Sequence, residues 1–364
     1  MGGAGAGGAE NKLYSWGQNA SGQLGLGDTT YRSSPSQVGA LTDWSEVGTG
    51  QLHSIAVRSD GTIWATGRNS SGQLGLGNTT NRSSPVQIGS LTDWSKVGIS
   101  SNANSSGAIK TDGALWMWGS NSNGLLGLGD VTNRSSPVQV GALTNWNLVR
   151  LGSRNTLAIK TDGTLWTWGG NDVGQLGLGN ITNYSSPKQV GALTTWSTAS
   201  CSAFSCFAIR TNGTLWSWGI NRYDSSGILG HGDTTNRSSP TQVGALTNWS
   251  KVGAGSDHVV SVKTNGTLWA WGNNTYGQLG LGDTTVRSSP VQIGSLTNWK
   301  DVACGYRFTI AVKTDNTLWA WGNGANGRLG LGNTTNYSSP KQIGSLTNWN
   351  KIASGYLHTL ATTQ

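Results

Sequence analysis

The tripeptide Ser-Ser-Pro ends at Pro35, Pro85, Pro137, Pro187, Pro240, Pro290 and Pro340, and these are all seven prolines of the 364-residue chain. Successive copies lie 50, 52, 50, 53, 50 and 50 residues apart. Self-similarity at such a period means stacked supersecondary units, none of which buries its apolar face alone. The core then grows unit by unit. A length that would ordinarily suggest two domains therefore reads as one, over residues 10–364. Residues 1–9 form a flexible Gly-rich tail outside the repeats, without the charged start and apolar core of a signal peptide. No stretch approaches the roughly 20 apolar residues of a membrane span.

The unit from Trp146 to Val190 shows the internal plan. Asn145-Trp146-Asn147-Leu148-Val149 is followed by Thr156-Leu157-Ala158-Ile159-Lys160, the turn Asp162-Gly163, and Leu165-Trp166-Thr167-Trp168-Gly169. A long Gly-rich connection then leads to Pro187-Lys188-Gln189-Val190. Asp-Gly between alternating runs is a strong hairpin signal, because both turn positions need positive φ. It recurs at Asp60-Gly61 and Asp112-Gly113, with Asn212-Gly213, Asn265-Gly266 and Asp315-Asn316 in the same slot. Two residues apart, the rings of Trp-x-Trp share one face of a strand; a helix would separate them. Proline is expected as the first residue of an outer, edge strand. No sustained 3.6-residue apolar period occurs, so almost no helix is predicted.

Four antiparallel strands repeated seven times predict an all-β, seven-bladed β-propeller. Only 35% of residues are apolar, but 19 Trp and 56 Gly supply large buried rings and close backbone packing. Disorder is excluded, since charged residues are only 11% and aromatics are plentiful. The chain ends cut one hairpin turn: Glu10-Asn11 align with Asp315-Asn316, and Gln364 with Thr314. The last blade is thus expected to take two strands from each terminus.

Trp16-Gly17-Gln18-Asn19 with Gly22 to Gly27, and Trp271-Gly272-Asn273-Asn274 with Gly277 to Gly282, resemble the regulator-of-chromosome-condensation repeat family. The Gly-x-x-His-Thr signature stands at Gly355 to Thr359 and, weakened, at Gly50 and Gly255. The resemblance covers residues 13–362 and implies the seven-bladed fold. The family includes a nucleotide exchange factor, a plant ultraviolet-B photoreceptor and many scaffolds, so fold does not fix function. Light sensing is rejected: the sensing Trp positions hold or adjoin Leu52, Arg154, Tyr306 and Tyr356. An exchange factor would need a protrusion that breaks the symmetry. Residues 221–227 are three longer than their counterpart, and residues 99–107 carry two extra. The first insertion places Arg222, Tyr223 and Asp224 as candidate contacts.

Most carboxylates fill repeated turn slots, where Asp satisfies local donors. His53, His258 and His358 share one repeat position, which favours a structural hydrogen bond; His231 stands alone. Neither Gly-x-Gly-x-x-Gly copy (starting at Gly3 and Gly322) opens a helix, so neither predicts phosphate binding. No nucleophile–base set, metal set or cofactor site is legible. Two basic series repeat. Arg58, Lys110, Lys160, Arg210, Lys263 and Lys313 precede the hairpin turns. Arg32, Arg82, Arg134, Arg237 and Arg287 precede Ser-Ser-Pro, with Tyr184 and Tyr337 in two blades. In a closed ring each series would form a circle of positive charge, serving either edge protection or an anionic partner such as nucleic acid. The net charge of +8 is only about one per unit and decides little. Three cysteines cannot all pair, which favours a reducing, cytoplasmic compartment. The expectation is a non-enzymatic, monomeric scaffold that binds a protein through one rim. Nucleotide exchange on a small GTPase, multivalent glycan binding, or a consensus-like sequence without an evolved function are the alternatives.

Overall fold

The computed structural model describes residues 10–99, 101–221 and 226–364. Among them, 28 strands form seven four-stranded antiparallel sheets. Blade I comprises Trp44–Thr49, His53–Arg58, Ile63–Gly67 and Arg82–Gln87. Blades II to VI repeat it, with inner strands Trp94–Val97, Trp146–Leu151, Trp196–Cys201, Trp249–Ala254 and Trp299–Cys304. These inner strands surround a central channel, and the Ser-Ser-Pro strands lie outermost. Helix among the described residues is limited to two three-residue 3-10 turns, Ser122–Gly124 and Ala325–Gly327.

Blade VII closes the ring as the repeat alignment predicts. Trp349–Ser354 and His358–Thr363 from the C-terminal end join Leu13–Gly17 and Arg32–Gln37 from the N-terminal end. Leu13 pairs with Thr362 and Gly17 with His358. The cut turn is also rebuilt: Trp44 N donates to Asn11 O at 3.1 Å, as Trp349 N donates to Asn316 O at 3.1 Å.

The repeated residues explain the blades. Within blade III, Trp146 meets Trp166 and Trp168 edge-to-face, with centroids 6.1 and 6.0 Å apart. Such rings bury large areas and add roughly 0.5–1.5 kcal/mol per pair beyond area. The Asn of Trp-Gly-x-Asn staples the long connection: Asn19 Nδ2 donates to Asp28 O, and Asn19 Oδ1 accepts from Leu24 N. Gly17 has φ +103, and a Cβ there would sit 2.5 Å from Leu357 O, so only glycine fits.

Proline differs from the expectation. Pro187 is the fourth residue of its strand, Tyr184–Gln189, not the first. Thr167 pairs with Lys188 and Gly169 with Tyr184, so Ser185, Ser186 and Pro187 bulge where no ladder donor is required.

Neighbouring blades are joined by one contact used seven times. Each long connection donates a glycine N–H to a serine carbonyl of the next outer strand, from Gly27 to Ser83 through to Gly332 to Ser33, at 2.8–2.9 Å. In six blades the Trp at the second position of the Trp-x-Trp slot (Tyr-x-Trp in blade VII) adds an indole bond to the preceding blade, as from Trp118 to Gln73 O at 3.0 Å. Blade I alone carries Thr66 there, and beside it lies an apolar cavity of about 20 Å³.

Candidate functional site

Strand register places the functional candidates. Phe308, Gly322 and Tyr337 lie side by side across blade VI. The starts of the outer strands, the long connections and the turns before the second strands therefore share one edge of the ring. The Asp-Gly turns and the first basic series lie at the opposite edge.

On the outer rim, four of the five arginines in the expected circle of positive charge are ion-paired. Arg32, Arg134, Arg237 and Arg287 each bind the Asp four residues earlier, Asp28, Asp130, Asp233 and Asp283. Hydrogen bonds from Arg237, then from the Thr235 backbone, hold Asp233 well below the usual carboxylate range. Arg82 has Asn78 in that place and reaches only Asn81 O, at 3.4 Å. The Tyr184 and Tyr337 hydroxyls accept from Asn180 and Asn333 at 3.5 and 3.2 Å. Arg222, Tyr223 and Asp224 lie outside the described residues.

The opposite edge is neutralised differently. Lys160 Nζ sits 3.8 Å from the Trp166 ring centroid, Lys263 3.6 Å from Trp269 and Lys313 3.8 Å from Trp319. These stems are buried on indole faces, and burial pushes the three amines down. Arg58 instead binds Asp43 and Asp60.

Near the channel mouth, the first edge breaks symmetry. Tyr306 and Tyr356 stack with centroids 4.3 Å apart and planes at 16°. Arg307 lies 4.9 Å from the Tyr306 centroid and 5.3 Å from that of Tyr276, and its Nε donates to buried Asp257 at 3.0 Å. Arg307 holds φ +61, unusual for a non-glycine residue. Arg328 lies beneath, nine-tenths buried, and donates to Tyr306 O at 3.2 Å. Burial pushes it down to about 10. The two tyrosines were noted in the sequence only as places lacking Trp. The signal for Arg328 was available: it replaces Gln in Gly-Gln-Leu-Gly.

From the insertion at 99–107, Asn102 and Ala103 reach into one end of the channel. Ser256 in blade V donates to Asn102 Oδ1 at 2.8 Å from the far side of the ring. Gln51 N also donates to Ala103 O at 2.8 Å. The channel has a volume of about 570 Å³. Its wall carries Glu46, Lys96, Arg150, Lys251, Asp301 and Lys351.

The repeated histidines tie blades together, as their repetition predicts. The His53, His258 and His358 Nε2 atoms meet Ser106, Thr309 and Ser54 hydroxyls of the next blade at 2.9–3.0 Å. Burial pushes His53 and His358 down to about 3. For His258, burial is outweighed by Cys304 and Asp257, and it is pushed up to about 9. His231 meets the Ser217 hydroxyl at 2.9 Å. Among the described residues, no group of three or more His, Cys, Asp or Glu is placed to hold a metal ion, and no helix is long and apolar enough to cross a membrane.

Seven blades closed by strands from both ends define a propeller built from RCC1-type repeats, with an asymmetric aromatic and cationic edge. Residues 133–361 match the RCC1-like domain model, and residues 10–57 and 60–108 match the regulator of chromosome condensation (RCC1) repeat. The chain belongs to this family. It is 33% identical over 273 residues to the ultraviolet-B receptor UVR8 of Arabidopsis thaliana, covering 73% of this chain and 50% of that protein. It is 31% identical over 133 residues to the X-linked retinitis pigmentosa GTPase regulator of Canis lupus familiaris, covering 36% and 13%. The chain thus spans half or less of these relatives' lengths. Among solved structures, human WBSCR16 superposes with TM-score 0.85 at 19% identity, over 97% of this chain and 99% of that one. Prp20p from Saccharomyces cerevisiae, described with its binding properties to Gsp1p and histones, gives TM-score 0.83 at 19% identity, over 97% and 91%.

Proposed function

We propose that residues 10–364 act as one protein-binding propeller, and that the partner docks on the edge carrying Tyr306 and Tyr356. The observation that carries this reading is the stacked, half-buried tyrosine pair with Arg307 beside it. Tyr and Arg dominate binding hot spots, because they bury large rigid area while keeping polar groups for pairing. Asp257 and Arg328 hold the cluster from below, so little side-chain freedom is lost on docking. Arg32, Arg82, Arg134, Arg237, Arg287, Tyr184 and Tyr337 ring the same edge and supply a polar rim. The four Asp-paired arginines contribute little net attraction for a polyanion, which favours a protein over nucleic acid. Similarity to Prp20p, described with Gsp1p and histones, supports the same class of function.

The test is cross-linked affinity capture from the native source, comparing the wild type with Tyr306→Ala/Tyr356→Ala and with Lys263→Met at the opposite edge. Partners should be lost from the double variant and kept by Lys263→Met. An unchanged partner set in the folded double variant removes this reading. Nucleotide release from a panel of small GTPases tests the exchange activity that the family resemblance implies. Acceleration that disappears in Arg307→Glu would place that activity on this edge.

A further inference from the structure

The fifth position of the inner strand is small in six blades: Gly48, Gly98, Ser200, Gly253, Ala303 and Ala353. Blade III alone places a long cation there, Arg150. Its guanidinium lines the channel, and its one protein acceptor among the described residues is Val149 O, at 2.9 Å. Arg150 is half-buried, and a guanidinium partly withdrawn from water normally faces a carboxylate or another anion, because desolvation without a partner is costly. Burial lowers the pKa of Arg150 against the opposing pull of Glu46 and Asp301, and among the described residues neither carboxylate forms an ion pair with it.

The surrounding charge has the same sign. Lys96, Arg150, Lys251 and Lys351 line the channel against Glu46 and Asp301. Glu46 is taken up by Lys351 at 2.9 Å, while Lys251 acts on Asp301 from beyond ion-pair distance. Burial raises Asp301 against the opposing pull of Lys251, Lys351 and Arg150, so four cations line the channel against two carboxylates. Asn102 and Ala103 reach into one end of the channel, bonded to Ser256 and Gln51. About 570 Å³ is the size of a small-molecule site. We propose that this channel binds a small multivalent oxyanion, a phosphate ester or polycarboxylate, with Arg150 as its principal ligand and Lys251 as the second. Guanidinium donates in a fixed fork that matches such oxyanions, and the low-dielectric wall strengthens the attraction. The site is separate from the tyrosine edge, and the two fail or stand independently.

Isothermal titration at low salt, with pyrophosphate and with citrate as probes, tests the proposal. One saturable site is expected, and the tighter of the two probes names the ligand class. Arg150→Ala should weaken binding by about tenfold or more, and Lys251→Gln by a smaller factor. Ser200→Glu, which adds a carboxylate to the same ring of positions, should abolish binding and serves if Arg150→Ala does not fold. Lys263→Met, at the opposite edge against Trp269, should bind as the wild type does. Absence of saturation by either probe up to about 10 mM would overturn the proposal, since such affinity lies below any specific site. Equal affinity of Arg150→Ala and the wild type would overturn it too.

Discussion

The indole N–H of Trp16 donates to the backbone carbonyl of Arg328 at 3.0 Å, across 312 residues of chain. That bond lies on the seam between blades VI and VII, and blade VII exists only when the two chain ends pair. Trp16 also packs on Trp349 at 6.2 Å, so one side chain joins three segments of the ring. Trp16→Phe keeps most of the packing and leaves the buried Arg328 carbonyl with only the long bond from the Thr359 hydroxyl, at 3.5 Å, at a cost of about 1–2 kcal/mol. Trp16→Ala adds a cavity, for a total of about 3–5 kcal/mol. Denaturant unfolding should rank wild type, Phe and Ala in that order. An Ala variant as stable as Phe would show that the ring is held elsewhere.

Thr66 is the weak point of the tryptophan pattern. Its hydroxyl bonds Gly22 O and Arg82 O at 2.9 and 2.8 Å, but it leaves the apolar cavity lined by Leu24, Val38 and Pro85. In blade II the same position holds Trp118, whose indole reaches Gln73 O. Gln23 O is the matching acceptor for blade I. An indole is far larger than that cavity of about 20 Å³, so Thr66→Trp should overpack blade I and lower stability by about 1–3 kcal/mol. An unchanged or raised melting temperature would mean that blade I can open to the Trp118 arrangement.

What the chain announced and what it concealed divide along one physical line. The Asp-Gly turns, the Trp-x-Trp faces and the split blade depend on local chemistry or on a fixed repeat, and each was legible. Pro187 was misplaced by three residues because a bulge, unlike a strand, has no pattern of its own. The rim charges were readable as Asp-x-x-x-Arg, as from Asp28 to Arg32, yet the arginines and the aspartates were read separately. The insertion at 99–107 was visible as an irregularity, and Arg150 was passed over where other repeats carry a small residue. Their meaning needed the ring: only closure sets Asn102 against Ser256, 154 residues away, and turns one odd arginine toward a shared channel.

Lys263 tests whether the lower basic series is charge or packing. Its ammonium faces Trp269 at 3.6 Å while burial pushes its pKa down. Cation–π gain and desolvation loss are each about 1–2 kcal/mol and oppose one another. Lys263→Met keeps the stem and should change stability by less than about 1 kcal/mol. Lys263→Glu sets a carboxylate against the ring face and should cost more than about 2 kcal/mol. Retention on a polyanion column should be the same for Lys263→Met and wild type. A marked drop in retention would mean that the series acts as exposed charge after all.

Acid should open the ring at its histidine ties. Burial holds His53 and His358 down to about 3, so the fold favours their neutral forms. A depressed histidine binds fewer protons in the folded state than in the unfolded state, whose value is near 6.5. Its contribution is therefore complete above about pH 6.5 and is lost progressively as pH falls toward 3, by a few kcal/mol for each. His258, pushed up to about 9, has the opposite sign: its contribution is complete below about pH 6.5 and is lost as pH rises through 9. Denaturant unfolding from pH 7 to 4 should show a steep loss of stability in the wild type. His53→Gln/His358→Gln keeps a donor for Ser106 and Ser54 without the titration, so its stability should be lower at pH 7 but flatter toward pH 4. His258→Gln should leave the acid slope unchanged. Equal acid slopes for the wild type and the double variant would place the acid-sensitive contacts elsewhere in the ring.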